Sequence, residues 1–271
     1  MTLTNGEQKI FIWIDFSPET EVTIRHGVQV AQILNKEICL IYRSSGGELK
    51  NDDPKLLLSK LITPLVSILG TERVHIFVTE HPLNTILTEM AEEFDALLLV
   101  ASKTRSKELL PVLSHSGFPF LFVSATQNPE RSYQKIAVPV GYMKKSKDLA
   151  LWSSYFARHN KAKVWLIKAM ERFGEDQRRV MSNLFSIERL FKNFNFSFEI
   201  IECHTPSWKI QKKAMGQALG FQYGLLIISF THQASLFDRI LGVNDGFVID
   251  HSEDLSVMCI NSQRDLYTFC G

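Results

Sequence analysis

Two short stretches of this 271-residue chain carry residue types that could do chemistry. Asp15 ends the apolar run Ile10-Phe11-Ile12-Trp13-Ile14 and stands just before Pro18. A carboxylate there accepts hydrogen bonds, either from the hydroxyls of a bound ligand or from the turn and helix that Pro18 opens. The second stretch follows the apolar run Ala96–Ala101. Lys103, Thr104, Arg105, Ser106 and Lys107 place three cations and two hydroxyls on consecutive residues. That set suits an anion held by side chains, and equally a solvated surface loop.

Other constellations are weaker. Ser44-Ser45-Gly46-Gly47 has the look of a phosphate loop but follows the second apolar run, where a turn is the simpler reading. No P-loop, GxGxxG or GxSxG occurs, which removes the commonest kinase, dehydrogenase and hydrolase readings. The eight histidines are dispersed. Cys203-His204, His232 and Asp250-His251-Ser252-Glu253-Asp254 lack the spacings that gather metal ligands, so no metal site is expected.

The elements that must position Asp15 and the Lys103–Lys107 cluster are short continuous apolar runs alternating with helical stretches. Strands are expected near Gln8–Ile14, Glu37–Tyr42, Arg73–Thr79, Ala96–Ala101 and Pro119–Ser124, with helices at Pro18–Asn35, Pro54–Leu69 and Leu83–Phe94. The scheme then starts again. Strands are expected near Lys135–Val140, Lys163–Lys168, Asn195–Glu202, Tyr223–Ser229 and Leu255–Ile260, and helices at Lys144–Asn160, Arg172–Asn193 and Ser207–Leu219. Phe194, Phe196 and Phe198 alternate as the inward face of a half-buried strand.

The second half repeats the first. Lys9–Ile14 answers to Lys135–Val140, and Ile38–Ile41 to Val164–Ile167, both at an offset of 126. Ala96–Val100 answers to Gly224–Ile228 at 128, and Pro82 with Ile86 mirrors Pro206 with Ile210. The expected organisation is domain 1 at 1–126, a linker at 127–133 and domain 2 at 134–271. Each is an α/β, doubly wound (Rossmann-like), five-stranded parallel-sheet domain.

Composition narrows the function classes. Thirty Lys+Arg against 29 Asp+Glu leave a net charge of +1, which argues against a nucleic-acid or anionic-membrane binder. Cys39, Cys203, Cys259 and Cys270 form no CxxC pair, and most lie in apolar runs, as reduced buried thiols of a cytoplasmic protein do. Met1–Lys9 has no basic leader and Ile10–Ile14 is too short for a signal core.

Lys9–Ser17, His81-Pro82 with Ile86, and Phe94-Asp95-Ala96-Leu97-Leu98-Leu99-Val100 resemble the universal stress protein family in its tandem form. The resemblance implies adenine nucleotide alpha hydrolase-like domains, a stress-associated role, and assembly as an intramolecular pseudo-dimer or homodimer. It also supplies a test. Nucleotide-binding members carry an Asp after the first strand. After the fourth they carry glycine, two residues, glycine, nine residues, glycine, then Ser or Thr, a backbone cradle for phosphate.

Neither copy satisfies the pattern. Copy one keeps Asp15 but has Ala101 and Thr104 at the first two glycine positions and Ser114-His115 at the last pair. Copy two has Gly141 in place of the acid, Ser229 and His232 at the first two glycines, and Gly242 correctly placed but followed by Val243. Asp15, Lys103, Thr104, Arg105 and Gly242 are therefore the residues that could still hold an adenine nucleotide. The expectation is a non-enzymatic regulatory or binding protein with degenerate nucleotide sites and no cofactor. The alternative is an ATP- or AMP-binding protein with slow ATP hydrolysis, its ligand held mainly in domain 1.

Overall fold

The computed structural model describes residues 8–44, 53–124, 133–144, 146–172, 174–230 and 245–261. The chain divides into two compact units, Met1–Ala125 and Thr126–Gly271. Of the expected linker, only Tyr133 lies within the described residues. It is fully buried, with its ring 5.8 Å from Phe156.

Unit 1 runs β1 (Lys9–Ile14), α1 (Thr20–Leu34), β2 (Glu37–Arg43), α2 (Pro54–Leu69), β3 (Val74–Thr79), α3 (Leu83–Glu92), β4 (Ala96–Ser102), α4 (Ser106–Leu113) and β5 (Phe120–Val123). Its strand order is β3-β2-β1-β4-β5, with parallel pairing throughout. Every residue of β1 and β4 is buried, because helices on both faces of a parallel sheet leave the central strands no polar side. Local signals set the helix ends. Asp53 caps α2 by accepting the Lys55 N–H at 2.9 Å, with Pro54 beside it. Asn35 in the left-handed region ends α1, and Gly70 at φ 91° ends α2.

Unit 2 runs β6 (Lys135–Val140), α5 (Ser146–Asn160), β7 (Lys163–Lys168), α6 (Glu175–Asn193), β8 (Phe198–Glu202), α7 (Ile210–Gly220), β9 (Leu225–Ser229), α8 (Asp245–Asp250) and β10 (Ser256–Ile260). Its order, β8-β7-β6-β9-β10, again all parallel, is that of unit 1 written a second time. Two expectations need correction here. The strand expected from Asn195 begins only at Phe198. Phe194 ends α6 and is 52% exposed, and Asn195 at φ 55° turns the chain before the strand. The segment after β4, expected as a loop, is a short 3-10 turn leading directly into α4.

In both units the strand order reverses between the first and fourth strands of the repeat. The crevice beyond their carboxyl ends is where an open α/β sheet binds ligands. Asp15 and Ser102–Arg105 border it in unit 1, and Gly141 and Ser229 in unit 2.

Candidate functional site

Unit 1 brings four of the five expected site residues, Asp15, Lys103, Thr104 and Arg105, to this crevice. The Asp15 side chain is only 6% exposed. Its Oδ1 accepts the Ser17 N–H and the Thr20 hydroxyl, each at 3.0 Å, and its Oδ2 accepts Arg105 Nε–H at 2.8 Å. Burial alone would raise this carboxyl's pKa. The Arg105, Ser17 and Thr20 donors outweigh that effect and hold it below the ordinary aspartate value. Asp15 takes the turn-closing role ahead of α1, and its second oxygen is paired with a cation from the far side of the crevice.

The rest of the cluster is likewise turned on itself. Arg105 also approaches Glu108 at 3.5 Å, and Arg43 reaches the other oxygen of Glu108 at the same distance. Thr104 donates its hydroxyl to Glu19 Oε2 at 2.9 Å, and Ser102 donates to the same oxygen. The Ser102 hydroxyl accepts the Thr104 N–H at 3.2 Å, capping the turn that glycines make in a phosphate cradle. Asp15, Glu19 and Glu108 thus take up the donors of Arg105, Arg43, Ser102 and Thr104 at this end of the sheet. At the last pair of motif positions, Ser114 is buried and donates its hydroxyl to Pro111 O at 3.3 Å.

Glu19, Glu108 and Arg43 are members of this network that sequence spacing did not single out. Glu108, three residues after Arg105, had a helical signal available once α4 was recognised. Glu19 and Arg43 had none, since their meeting with the cluster depends on the strand order.

Unit 2 is built differently at the same place. Gly141 stands where Asp15 does, and a Cβ on it would lie 3.0 Å from the Ser207 Cβ and 3.1 Å from its Oγ. Ser207 sits that close because its N–H donates to Glu171 at 2.6 Å and its Oγ accepts the Tyr142 N–H at 3.1 Å. Asn183 donates to the carbonyls of Gly141 and Met143 at 2.9 and 2.8 Å, fixing the turn after β6. What remains is a cavity of about 40 Å³ lined in part by Gly141, Ser146, Ser207, Trp208, Gln211 and Ser229, enough for a few waters. Gly242 and His232 lie outside the described residues.

Each unit is thus a strand-helix repeat with a 3-2-1-4-5 parallel order and a crevice beyond its first and fourth strands. A universal stress protein from Archaeoglobus fulgidus DSM 4304 aligns with a TM-score of 0.64 at 13% identity, over 93% of this chain and 95% of that one. The fold is the universal stress protein fold. A functionally unknown protein from Pseudomonas aeruginosa PAO1 aligns with a TM-score of 0.60 at 15% identity, over 94% of this chain and 92% of its own. No family model matches the chain, and no curated protein matches it significantly.

Among the described residues no three His, Cys, Asp or Glu side chains gather as metal ligands would, and no helix is long and apolar enough to cross a membrane. Cys39, Cys203 and Cys259 are all buried.

Proposed function

We propose that this protein is a non-catalytic, stress-associated binding or regulatory protein of the universal stress protein type, acting in the cytoplasm, in which the nucleotide site of unit 1 is closed by its own side chains. One observation carries the reading. Arg105 holds Asp15 at 2.8 Å, so the acid that would accept a ligand's hydroxyls is already occupied. The cation that could attract a phosphate is neutralised by the same contact. The Thr104 hydroxyl, a further donor at the crevice, is engaged with Glu19. The Thr104 N–H, a backbone donor at the same turn, is likewise taken, by the Ser102 hydroxyl.

The test starts with protein purified without added ligand, denatured and assayed for released adenine nucleotide. Calorimetric titration with ATP and AMP follows, with phosphate release measured in parallel. The expected result is no carried nucleotide, no saturable heat in the micromolar range and no phosphate release above the buffer rate. Carried nucleotide, or micromolar ATP binding weakened by Lys103→Ala with Arg105→Ala, would overturn the reading and establish the alternative of a nucleotide-binding domain 1. Phosphate release abolished by Asp15→Ala would establish slow ATP hydrolysis.

A further inference from the structure

Away from both crevices, α6 carries an exposed strip of side chains. The helix packs through Val180, Leu184, Ile187 and Phe191. On the opposite face Phe185 is 69% exposed and Met181, one turn earlier, 45%. Arg178 lies two turns before Phe185 and Arg189 one turn after it, so cations bracket the apolar pair on the same strip. The acids of α6 are paired along the helix: Glu175 with Arg179, which also lies 4.0 Å from Asp176, and Glu188 with Lys192 at 2.7 Å. Among the described residues neither Arg178 nor Arg189 makes a side-chain ion pair.

We infer that this strip, Arg178-Met181-Phe185-Arg189, is a docking surface for an acidic amphipathic helix of another protein, with Phe185 as the anchor. Charge complementarity selects the occupant. The two guanidiniums stand eleven residues apart, about 16 Å along the helix. Carboxylates three turns apart on one face of a partner helix match that span, with apolar residues between them to cover Phe185 and Met181. An anionic lipid surface fits less well. Two apolar side chains, Met181 and Phe185, give such a surface little insertion area. Arginine and a large aromatic are also the residue types that dominate binding energy at protein interfaces.

The test uses the full chain and two synthetic helical peptides of about 14 residues, four turns in length. Both carry leucines at helical spacing; one has glutamates flanking them and the other lysines. Fluorescence anisotropy should show saturable binding of the acidic peptide and none of the basic one. Phe185→Ser, and separately Arg178→Glu with Arg189→Glu, should each weaken the acidic peptide by about tenfold or more. Both variants change exposed positions, so circular dichroism should match the parent. Failure to bind the acidic peptide, equal binding of both peptides, or binding indifferent to these variants would each overturn the inference. So would tighter association with vesicles containing phosphatidylserine that depends on Phe185, which would assign the strip to a membrane instead. None of these outcomes depends on nucleotide, so they leave the closed crevice of unit 1 to its own test.

Discussion

Two copies of one fold are built differently at the same crevice. In unit 1 the acid survives and is neutralised: Asp15 is held by Arg105, and Glu19 and Glu108 surround the crevice. In unit 2 the acid is absent, and the space its side chain would occupy is taken by Ser207, 3.0 Å from where a Cβ would stand. One position shows the switch directly. Thr20 in unit 1 and Ser146 in unit 2 open equivalent helices at the offset of 126. Thr20 donates its hydroxyl to the Asp15 carboxylate, whereas Ser146 donates to the Gly141 carbonyl and accepts the Gly141 N–H, each at 3.3 Å. A duplicated scaffold thus keeps its turn geometry while the group that the turn presents changes. At this position an ion pair faces the crevice in one copy and a serine packed on a glycine in the other.

Restoring the acid to unit 2 should have the largest effect. In Gly141→Asp the new Cβ presses on Ser207, whose position is fixed by Glu171 and Tyr142, and the carboxylate enters a buried position at which no ion pair stands among the described residues. Overpacking and an unpaired buried charge together should cost about 4 kcal/mol. Gly141→Ala separates the two causes: it keeps the clash, removes the charge and should cost about 1 kcal/mol. Urea unfolding of both variants reads the difference. If Gly141→Asp proved as stable as the parent, packing would not be what excludes the acid from unit 2.

Acid should distinguish the units next. His26 on α1 is fully buried, and burial pushes its pKa down to about 4 from 6.5. At the same helix position of unit 2 stands Trp152, also buried, which does not titrate. Between those two pH values the unfolded chain binds a proton that the folded imidazole refuses, so stability falls as pH drops through that window and is unaffected above it. The loss should approach about 3 kcal/mol by the lower end and fall on unit 1. Far-ultraviolet dichroism reports both units, while tryptophan fluorescence is weighted to unit 2, which holds Trp152, Trp165 and Trp208 against Trp13 alone. Unfolding midpoints by the two probes should separate as pH falls from neutral, and His26→Gln should bring them back together. Coincident curves throughout would show that His26 does not set the acid response.

Much of this architecture is legible in the residues themselves. Continuous apolar runs mark the strands, proline and glycine bound α2, and the offset between Lys9–Ile14 and Lys135–Val140 reveals the duplication. Periodicity errs where tertiary context decides. Phe194 fits a period of two with Phe196 and Phe198, but it caps a helix whose last turn the pattern cannot separate from a strand. The candidate site is half legible. Asp15 and the Lys103–Lys107 cluster are visible as chemistry, but residue types alone assign the basic side chains to an incoming anion. Only the adjacency of β1 and β4 shows Arg105 turned onto Asp15, and Glu108 becomes its neighbour only once Ser106–Leu113 is a helix. A repeat is local information; a pairing across ninety residues of chain is not.

The Asp15–Arg105 contact itself gives the smallest and most specific effect. Asp15 is 6% exposed and Arg105 36%, so solvent screens the guanidinium side, and Arg105→Ala should cost only about 1 to 2 kcal/mol near neutral pH. Most of that is the cost of leaving a buried carboxylate with hydroxyl and amide donors alone. The pH dependence identifies the source. Because the folded carboxyl's pKa lies below its unfolded value near 3.8, its stabilisation is fully present above that value and is lost as pH falls through the lower, folded one. The difference between parent and Arg105→Ala should therefore be constant from neutral pH down to about 5 and shrink below about 4. Asp15→Asn should abolish the difference, so that removing Arg105 from that background costs little. A cost that persisted alongside Asp15→Asn, or at low pH, would trace to Arg105 packing and its Glu108 contact instead. In that case the acid of unit 1 would be held chiefly by Ser17 and Thr20, by its own turn more than by the cation opposite.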